Sequence, residues 1–376
     1  MKTIQKIIVI ALIGTAWMWL ACGGQTERSI LISNPTNLER QELVRIGFSD
    51  WLAAFGGDSV FRIVDRTTGD EIPYQVETLG SDTPQYILLD VSVPAGGSLR
   101  LTVESAAPAP VKACTYARYV PERFDDFAWE NDVVAFRMYG KALEGRPDDA
   151  QGLDLWSKRT TDLVIDKWYE HGDYHTDHGE GLDYYSVGMT LGAGDIAPYS
   201  DDTVVFSKHY REYRILDNGP LRSTFELIYE PWEVNGRTVS VIKKISLDAG
   251  SQLNRVDVTY TVTNEGKLPV AIGIARRPDP GTLLQEAGVF GYWEPEIGDN
   301  GITGVGILLS SGTFTEFSEL SNQYLALTEA TDGQPLTYYV GGAWNKAGRY
   351  TTAEAWFDYL RVYRERLDAP LTITIE

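Results

Sequence analysis

From Ser29 onward, apolar and polar residues alternate with a period of two, in short runs separated by turn signals. Runs 29–35, 42–48, 60–64 and 85–91 each put Ile, Leu, Val or Phe on one face, the pattern of half-buried strands. Thr67-Thr68-Gly69-Asp70 and Pro94-Ala95-Gly96-Gly97 read as turns between them. Evenly spaced short strands predict a small β-sandwich over 29–110. Ala106-Ala107-Pro108-Ala109-Pro110 then reads as a linker. Residues 111–376 remain strand-rich. Asn235-Gly236 lies between two β runs of 230–247 and predicts a hairpin with a type I′ turn. One helix is expected near 353–367. Thr351-x-x-Glu354 forms a capping box, and Trp356, Tyr359, Leu360, Tyr363 and Leu367 make an apolar stripe at helical spacing. Pro370 ends it, and 371–375 return as a strand. The expected class is therefore all-β, a small sandwich followed by a large antiparallel one with a C-terminal helix.

The chain begins with an export signal rather than a folded segment. Lys2 and Lys6 precede an apolar run from Ile7 to Ala16, too short to span a bilayer. Cys22, after Leu20-Ala21 and before Gly23, resembles the acylated Cys of a bacterial lipoprotein lipobox, although Trp19 stands where Leu is usual. Residues 1–21 are thus expected to be a signal peptide and 22–28 a linker. The expected product is an exported lipoprotein of the periplasm or outer membrane, held to the membrane through Cys22; a soluble periplasmic protein is the alternative. Cys114 is then alone and is expected to be buried and inert. A net charge of −20 repels phosphate backbones, so nucleic acid is not expected as a partner.

All four histidines, His171, His175, His178 and His209, fall in one part of the chain. The first three belong to a polar, aromatic and glycine-punctuated stretch, 168–188, that reads as a loop beside a sheet, where functional residues concentrate. His175 and His178 with Asp177, Glu180 or Asp183 offer nitrogen and oxygen ligands for a divalent metal, without a standard zinc spacing. Proton transfer by His and Tyr is a second reading, and a hydrogen-bonded structural loop is the third. No cofactor is required by the sequence. Arg137 sits in the strand-like run Trp129 to Gly140 and is expected to be drawn inward. Lys158-Arg159, Lys208, Arg211 and Arg276-Arg277 are the other basic positions from which a carboxylate-binding pocket could be built. Trp129, Trp156, Trp168, Trp293, Trp344 and Trp356 are candidates for stacking on sugar rings, although core packing accounts for aromatics equally well. There is no Gly-x-Ser-x-Gly, P-loop or Cys-x-x-Cys motif.

Four stretches together resemble one family. They are Glu130-Asn131-Asp132 with Ala135 to Gly140, His175 to Gly194, Tyr213 to Arg222, and Gly341 to Lys346 with Glu354-Ala355-Trp356. The family is a domain-of-unknown-function group of bacterial polysaccharide-utilisation lipoproteins that includes an oligosaccharide dehydratase of ulvan degradation. The resemblance implies a galactose-mutarotase-like β-supersandwich over 111–376 and an oligosaccharide substrate containing uronic acid. Under a lyase or dehydratase reading, Arg137, with Lys158, would neutralise the substrate carboxylate. His175 or His178 would be the base, and Tyr184 or Tyr185 the acid. Asn131, Lys158, Trp168, Glu180, Asp183, His209 and Trp344 are the expected substrate-binding positions. A glycoside hydrolase using two of Asp177, Glu180 and Asp183 and a non-catalytic glycan-binding lipoprotein are the alternatives.

Overall fold

The computed structural model describes residues 28–57, 60–264 and 266–376. The expected signal peptide, most of the 22–28 linker and the Cys22 acylation site lie outside the described residues. Among the described residues no helix is long and apolar enough to cross a membrane.

The N-terminal residues form two small antiparallel sheets. One has three strands, in the order Arg40–Gly47, Tyr86–Val93, Tyr74–Glu77. The other has four, in the order Thr372–Ile375, Ser29–Ser33, Ser98–Glu104, Arg62–Asp65. Their facing apolar residues, among them Ile30, Ile32, Val44, Ile87, Leu89 and Val91, pack with Trp51 into one core. Trp51 comes from α1 (Phe48–Phe55), which takes up Phe48, expected to close a strand. The last strand also departs from expectation. Residues 372–375 leave the large sandwich and pair with Ser29–Ser33, Ile373 opposite Ile32. Their alternating Ile side chains cover that edge of the small core, which the helix before them does not reach.

The remaining strands make the large sandwich. Its main layer is an eight-stranded antiparallel sheet in the order Glu212–Asn218, Arg222–Val234, Arg237–Asp248, Leu253–Val262, Pro335–Trp344, Thr303–Leu309, Val289–Trp293, Thr282–Glu286. The predicted hairpin is its second and third strands, and Asn235 and Gly236 both take positive φ, 46° and 73°, as a type I′ turn needs. Two five-stranded sheets cover the inner face. Thr115–Val120, Asp126–Asn131, Val134–Met138, Leu153–Lys158 and Gly181–Leu182 form one. Thr203–Val204, Ala193–Ser200, Lys267–Ala275, Gln323–Thr331 and Glu316–Glu319 form the other. Phe127, Trp129, Phe136, Ile196 and Ile272 meet Phe225, Val256, Ile307 and Val340 across the layers.

The outer face of the eight-stranded sheet carries two things. The N-terminal sandwich leans on one end: Gln75 Oε1 accepts from the Leu221 and Arg222 amides at 2.7 and 2.8 Å, and Asp217 accepts from the Thr78 and Leu79 amides. At the other end lies the C-terminal helix, with α2 (Ile165–His171) preceding it as α3 (Ala353–Asp368). Its start falls one residue later than the capping box implies, with the Thr352 hydroxyl accepting from the Ala355 amide at 3.2 Å. Trp356, Phe357 and Leu360 pack on Leu253, Leu284, Trp293 and Leu308. The approach is close because the sheet offers Gly306 there: a Cβ on it would lie 2.4 Å from Leu360 Cδ2. Cys114 is half-buried in irregular chain rather than enclosed in a strand, and burial raises its thiol pKa. Trp356 is fully buried. Trp356→Ala should therefore lower unfolding free energy by about 3–5 kcal/mol, as large-to-small core substitutions do, measured by urea denaturation.

Candidate functional site

Loops 172–192, 276–281, 294–302 and 345–352 join the strands at one end of the large sandwich. The first is the histidine loop, and the chain enters it through α2, shorter than a self-sustaining helix. Glu130 replaces what length would give: its Oε1 accepts from the Val164 and Ile165 amides at 2.7 and 2.8 Å, two donors that the first helical turn leaves open. The other oxygen of Glu130 takes Lys158 Nζ at 2.5 Å. Gly172 ends the helix in the left-handed conformation. Beyond it, Tyr174 folds back and stacks on Trp156 at 5.2 Å, and Trp156 stacks on Trp168 at 5.6 Å. Further on, Gly181 pairs with Lys158 with φ 127°. Any Cβ there would lie 2.0 Å from the Ser157 carbonyl oxygen, so the loop can rejoin the sheet only at a glycine.

Arg137 is drawn inward as its apolar neighbours require, but its charge is already taken. It is 4% exposed. Its Nη2 lies 2.6 Å from Asp154 Oδ2 and 2.9 Å from Asp183 Oδ2, and its Nη1 lies 3.7 Å from Asp126. Three carboxylates surround one guanidinium, so the acids outnumber the cation by two charges. Burial pushes Asp126 up to about 7, against the pull of Arg137. Burial and the neighbouring Asp154 push Asp183 up as well. The expected role of Arg137 as a substrate-carboxylate ligand is thereby corrected: it is enclosed and matched within the protein. Lys158 is likewise buried on Glu130 and the Asn131 carbonyl, and burial lowers its pKa.

The candidate histidines do not share one environment. His175 Nδ1 lies 2.8 Å from the main-chain oxygen of Asp183. A carbonyl only accepts, so Nδ1 carries the proton and Nε2 keeps its lone pair. The His175 side chain is 60% exposed. His178 instead meets Asp173 at 3.2 Å on the outside of the loop and stacks on His171 at 5.3 Å. His209 is buried elsewhere, 2.8 Å from Asp149. Asp177 pairs with Arg159 and accepts from the Gly179 amide. The three metal candidates, His175, Asp177 and His178, thus turn to three different partners. Among the described residues no three His, Cys, Asp or Glu side chains gather as a metal site.

The two tyrosines divide in the same way. Tyr185 is buried, and its hydroxyl donates to the Gly192 carbonyl at 3.0 Å under the guanidinium of Arg277. That enclosure corrects its expected role as an acid. Tyr184 is partly exposed and shares a 2.6 Å hydrogen bond with the Thr303 hydroxyl. Burial holds its hydroxyl protonated well above the usual tyrosine range. Trp344 lies 6.5 Å from the Tyr184 ring, with its indole N–H on the Asn300 carbonyl. The Arg159 guanidinium sits 4.6 Å over the indole. Asn131 is structural, bonding the carbonyls of Asp248 and Ser251 and the amides of Val133 and Val134. Trp168 belongs to the aromatic stack, and Glu180 pairs with Lys167 at 2.6 Å. Two buried acids went unnoticed in the sequence, Asp126 and Asp154, along with Glu294. Each follows or precedes large apolar residues inside a strand or at its end, a placement that charge tolerates only when paired. Glu294 pairs with Arg277 at 2.7 Å and is pushed up to about 7 by burial.

A family model described as a domain of unknown function, DUF4861, matches residues 32–373. Uncharacterized protein P7 of Formosa agariphila is 30% identical over 402 residues, covering 99% of this chain and all of the relative. Among solved structures, an alpha-mannosidase of Enterococcus faecalis V583 and a glycosyl hydrolase family 38 protein of Enterococcus faecalis overlay 93% of this chain, each with a TM-score of 0.49, at 9% and 10% identity. The chain spans 46% and 47% of their lengths.

Removing Arg137 would leave buried carboxylates without a counter-charge. Arg137→Ala should cost about 3–5 kcal/mol of stability, read by urea denaturation. The carboxyls set a second expectation. With their folded pKa values raised above the unfolded value of about 4, the stability they contribute is complete below that pH. It is lost as pH rises through about 7, where Asp126 titrates. Asp183→Asn removes one such group, so the variant should gain on the wild type between about pH 4 and about pH 8. A pH-independent difference in unfolding free energy would contradict the assignment.

Proposed function

The chain belongs to the DUF4861 family, and we propose that it is a carbon–oxygen lyase of the dehydratase type acting on oligosaccharides that contain uronic acid. The observation that carries this reading is the hydrogen bond from His175 Nδ1–H to the Asp183 carbonyl. It fixes the tautomer in which Nε2 is a base on a side chain open to solvent. In the proposed reaction His175 Nε2 removes the proton on the carbon beside the uronate carboxylate. The electron pair left behind is delocalised into that carboxylate, then forms a C=C bond as the C–O bond one carbon further breaks. Tyr184 protonates the departing hydroxyl, which leaves as water; no net oxidation occurs. Arg159 is the cation for the substrate carboxylate, because it is the exposed guanidinium over Trp344. Its remaining N–H donors can serve a second carboxylate beside Asp177. Asp177, Glu180 and Asp183 are engaged with Arg159, Lys167 and Arg137, which favours elimination over a pair of hydrolytic carboxyls. The same reading has the chain exported and acylated at Cys22, in the periplasm or outer membrane.

Incubation with oligosaccharides whose terminal uronate is saturated and carries a free hydroxyl one carbon beyond the C–H to be removed, followed by mass spectrometry, tests it. A product lighter by one water is expected. His175→Ala should slow its formation by about 10²–10⁴-fold, the usual worth of a positioned base, and His178→Ala should leave it unchanged. A product heavier by one water would identify a hydrolase, and an unchanged substrate a binding protein.

A further inference from the structure

A large cleft lies away from the histidine loop. It has a volume of about 930 Å³ and runs between the N-terminal sandwich, the outer face of the eight-stranded sheet and α3. That size falls in the range of roughly 300–1,000 Å³ typical of ligand clefts. Its floor is the sheet's outward row, where Lys244 and Arg255 stand 39% and 44% exposed. One carboxylate serves both: Asp257 lies 3.8 Å from Lys244 and 2.9 Å from Arg255. Arg45 on the opposite wall lies over the Tyr86 ring at 4.1 Å, and Arg349 closes one end. Neither has a carboxylate within ion-pair distance among the described residues. Across the whole lining seven cationic side chains meet six carboxyls, a near-even balance in a chain of net charge −20, with the unpaired cations Arg45 and Arg349 left over. Tyr339 and Tyr363, 5.3 Å apart, add aromatic faces beside these cations. Two lining side chains also keep buried polar atoms without a partner, Glu77 Oε2 and Arg366 Nε, which a hydroxyl-bearing ligand would satisfy.

We propose that this cleft is a second carbohydrate-binding site, one that takes an acidic oligosaccharide. Lys244, Arg255, Arg45 and Arg349 would meet its carboxylates, and the tyrosine rings would lie against its sugar faces. Arg349 also lines the small pocket beside Trp344, so the cleft and the loop end of the sandwich adjoin at that side chain. A chain of several sugars held in the cleft would therefore have one end at Arg349, beside the loop end of the sandwich. The proposal concerns binding alone and stands or falls separately from the reaction assigned to His175.

Calorimetric titration of the whole protein with tetragalacturonate, and with maltotetraose as the neutral counterpart, tests it. Tetragalacturonate should bind, more weakly as salt is raised, and maltotetraose should not. Lys244→Gln/Arg255→Gln changes only exposed side chains, so the melting temperature should stay near that of the wild type. Its affinity for tetragalacturonate should fall by about tenfold or more, the worth of two charge-assisted hydrogen bonds. A Trp344→Ala variant should retain most of the binding. No binding of tetragalacturonate, equal binding of maltotetraose, or undiminished binding by the double variant would each overturn the proposal. Loss of turnover by the double variant on the shortest substrates, with binding lost as well, would support the cleft but overturn the placement of the reaction at His175.

Discussion

The buried Arg137 guanidinium is the point on which the candidate site depends. It draws Asp126, Asp154 and Asp183 from two strands and one loop into a volume without solvent. Burying charge is costly unless the charges compensate one another. Three carboxylates outnumber one guanidinium by two charges, and burial raises the pKa of both Asp126 and Asp183. The loop therefore has one favourable position, with Asp183 inside. Because side chains alternate along an extended chain, putting Asp183 inside sends Tyr184 outward toward Thr303 and Trp344. The Asp183 carbonyl is then presented to His175. The proposed base and acid thus owe their positions to a carboxylate that does no chemistry itself.

Packing around this group supports the same geometry. Trp156 lies on the strand beside Arg137, whose guanidinium sits 5.4 Å from its ring. The same indole carries Trp168 and Tyr174, so the helix before the loop and the start of the loop rest on one side chain. Glu130 secures the helix from below. The opposite face of the molecule is built otherwise. There the eight-stranded sheet turns charged and tyrosine side chains outward, and the N-terminal sandwich stands over them without closing the space.

Much of this was legible in the sequence where a period governed it. The strands of both sandwiches, the Asn235-Gly236 turn and the stripe of α3 repeat at spacings that the chain itself displays. Arg137 was legible as buried, because apolar residues flank it, but not as neutralised. Its partners Asp154 and Asp183 lie 17 and 46 residues away along the numbering, and only strand pairing brings them together. Tyr184 and Tyr185 were indistinguishable in the sequence; the register of one loop decided which faces outward. The short α2 has no periodic signal because tertiary contacts from Glu130 and Trp156 sustain it. The large cleft left no local trace either, since its walls come from outward-facing residues of strands far apart in the chain. The pairing of 372–375 with the first strand is a long-range choice of the same kind.

The central claim is that His175, Tyr184 and Arg159 hold the sugar on which the protein acts. A crystal structure of the His175→Ala protein with a uronyl oligosaccharide tests it most directly. The account predicts a uronate ring beside Tyr184, with its carboxylate on Arg159 and a hydroxyl within hydrogen-bond reach of the Tyr184 hydroxyl. A reacting sugar found only between the N-terminal sandwich and the eight-stranded sheet, with Tyr184 and Arg159 untouched, would contradict it.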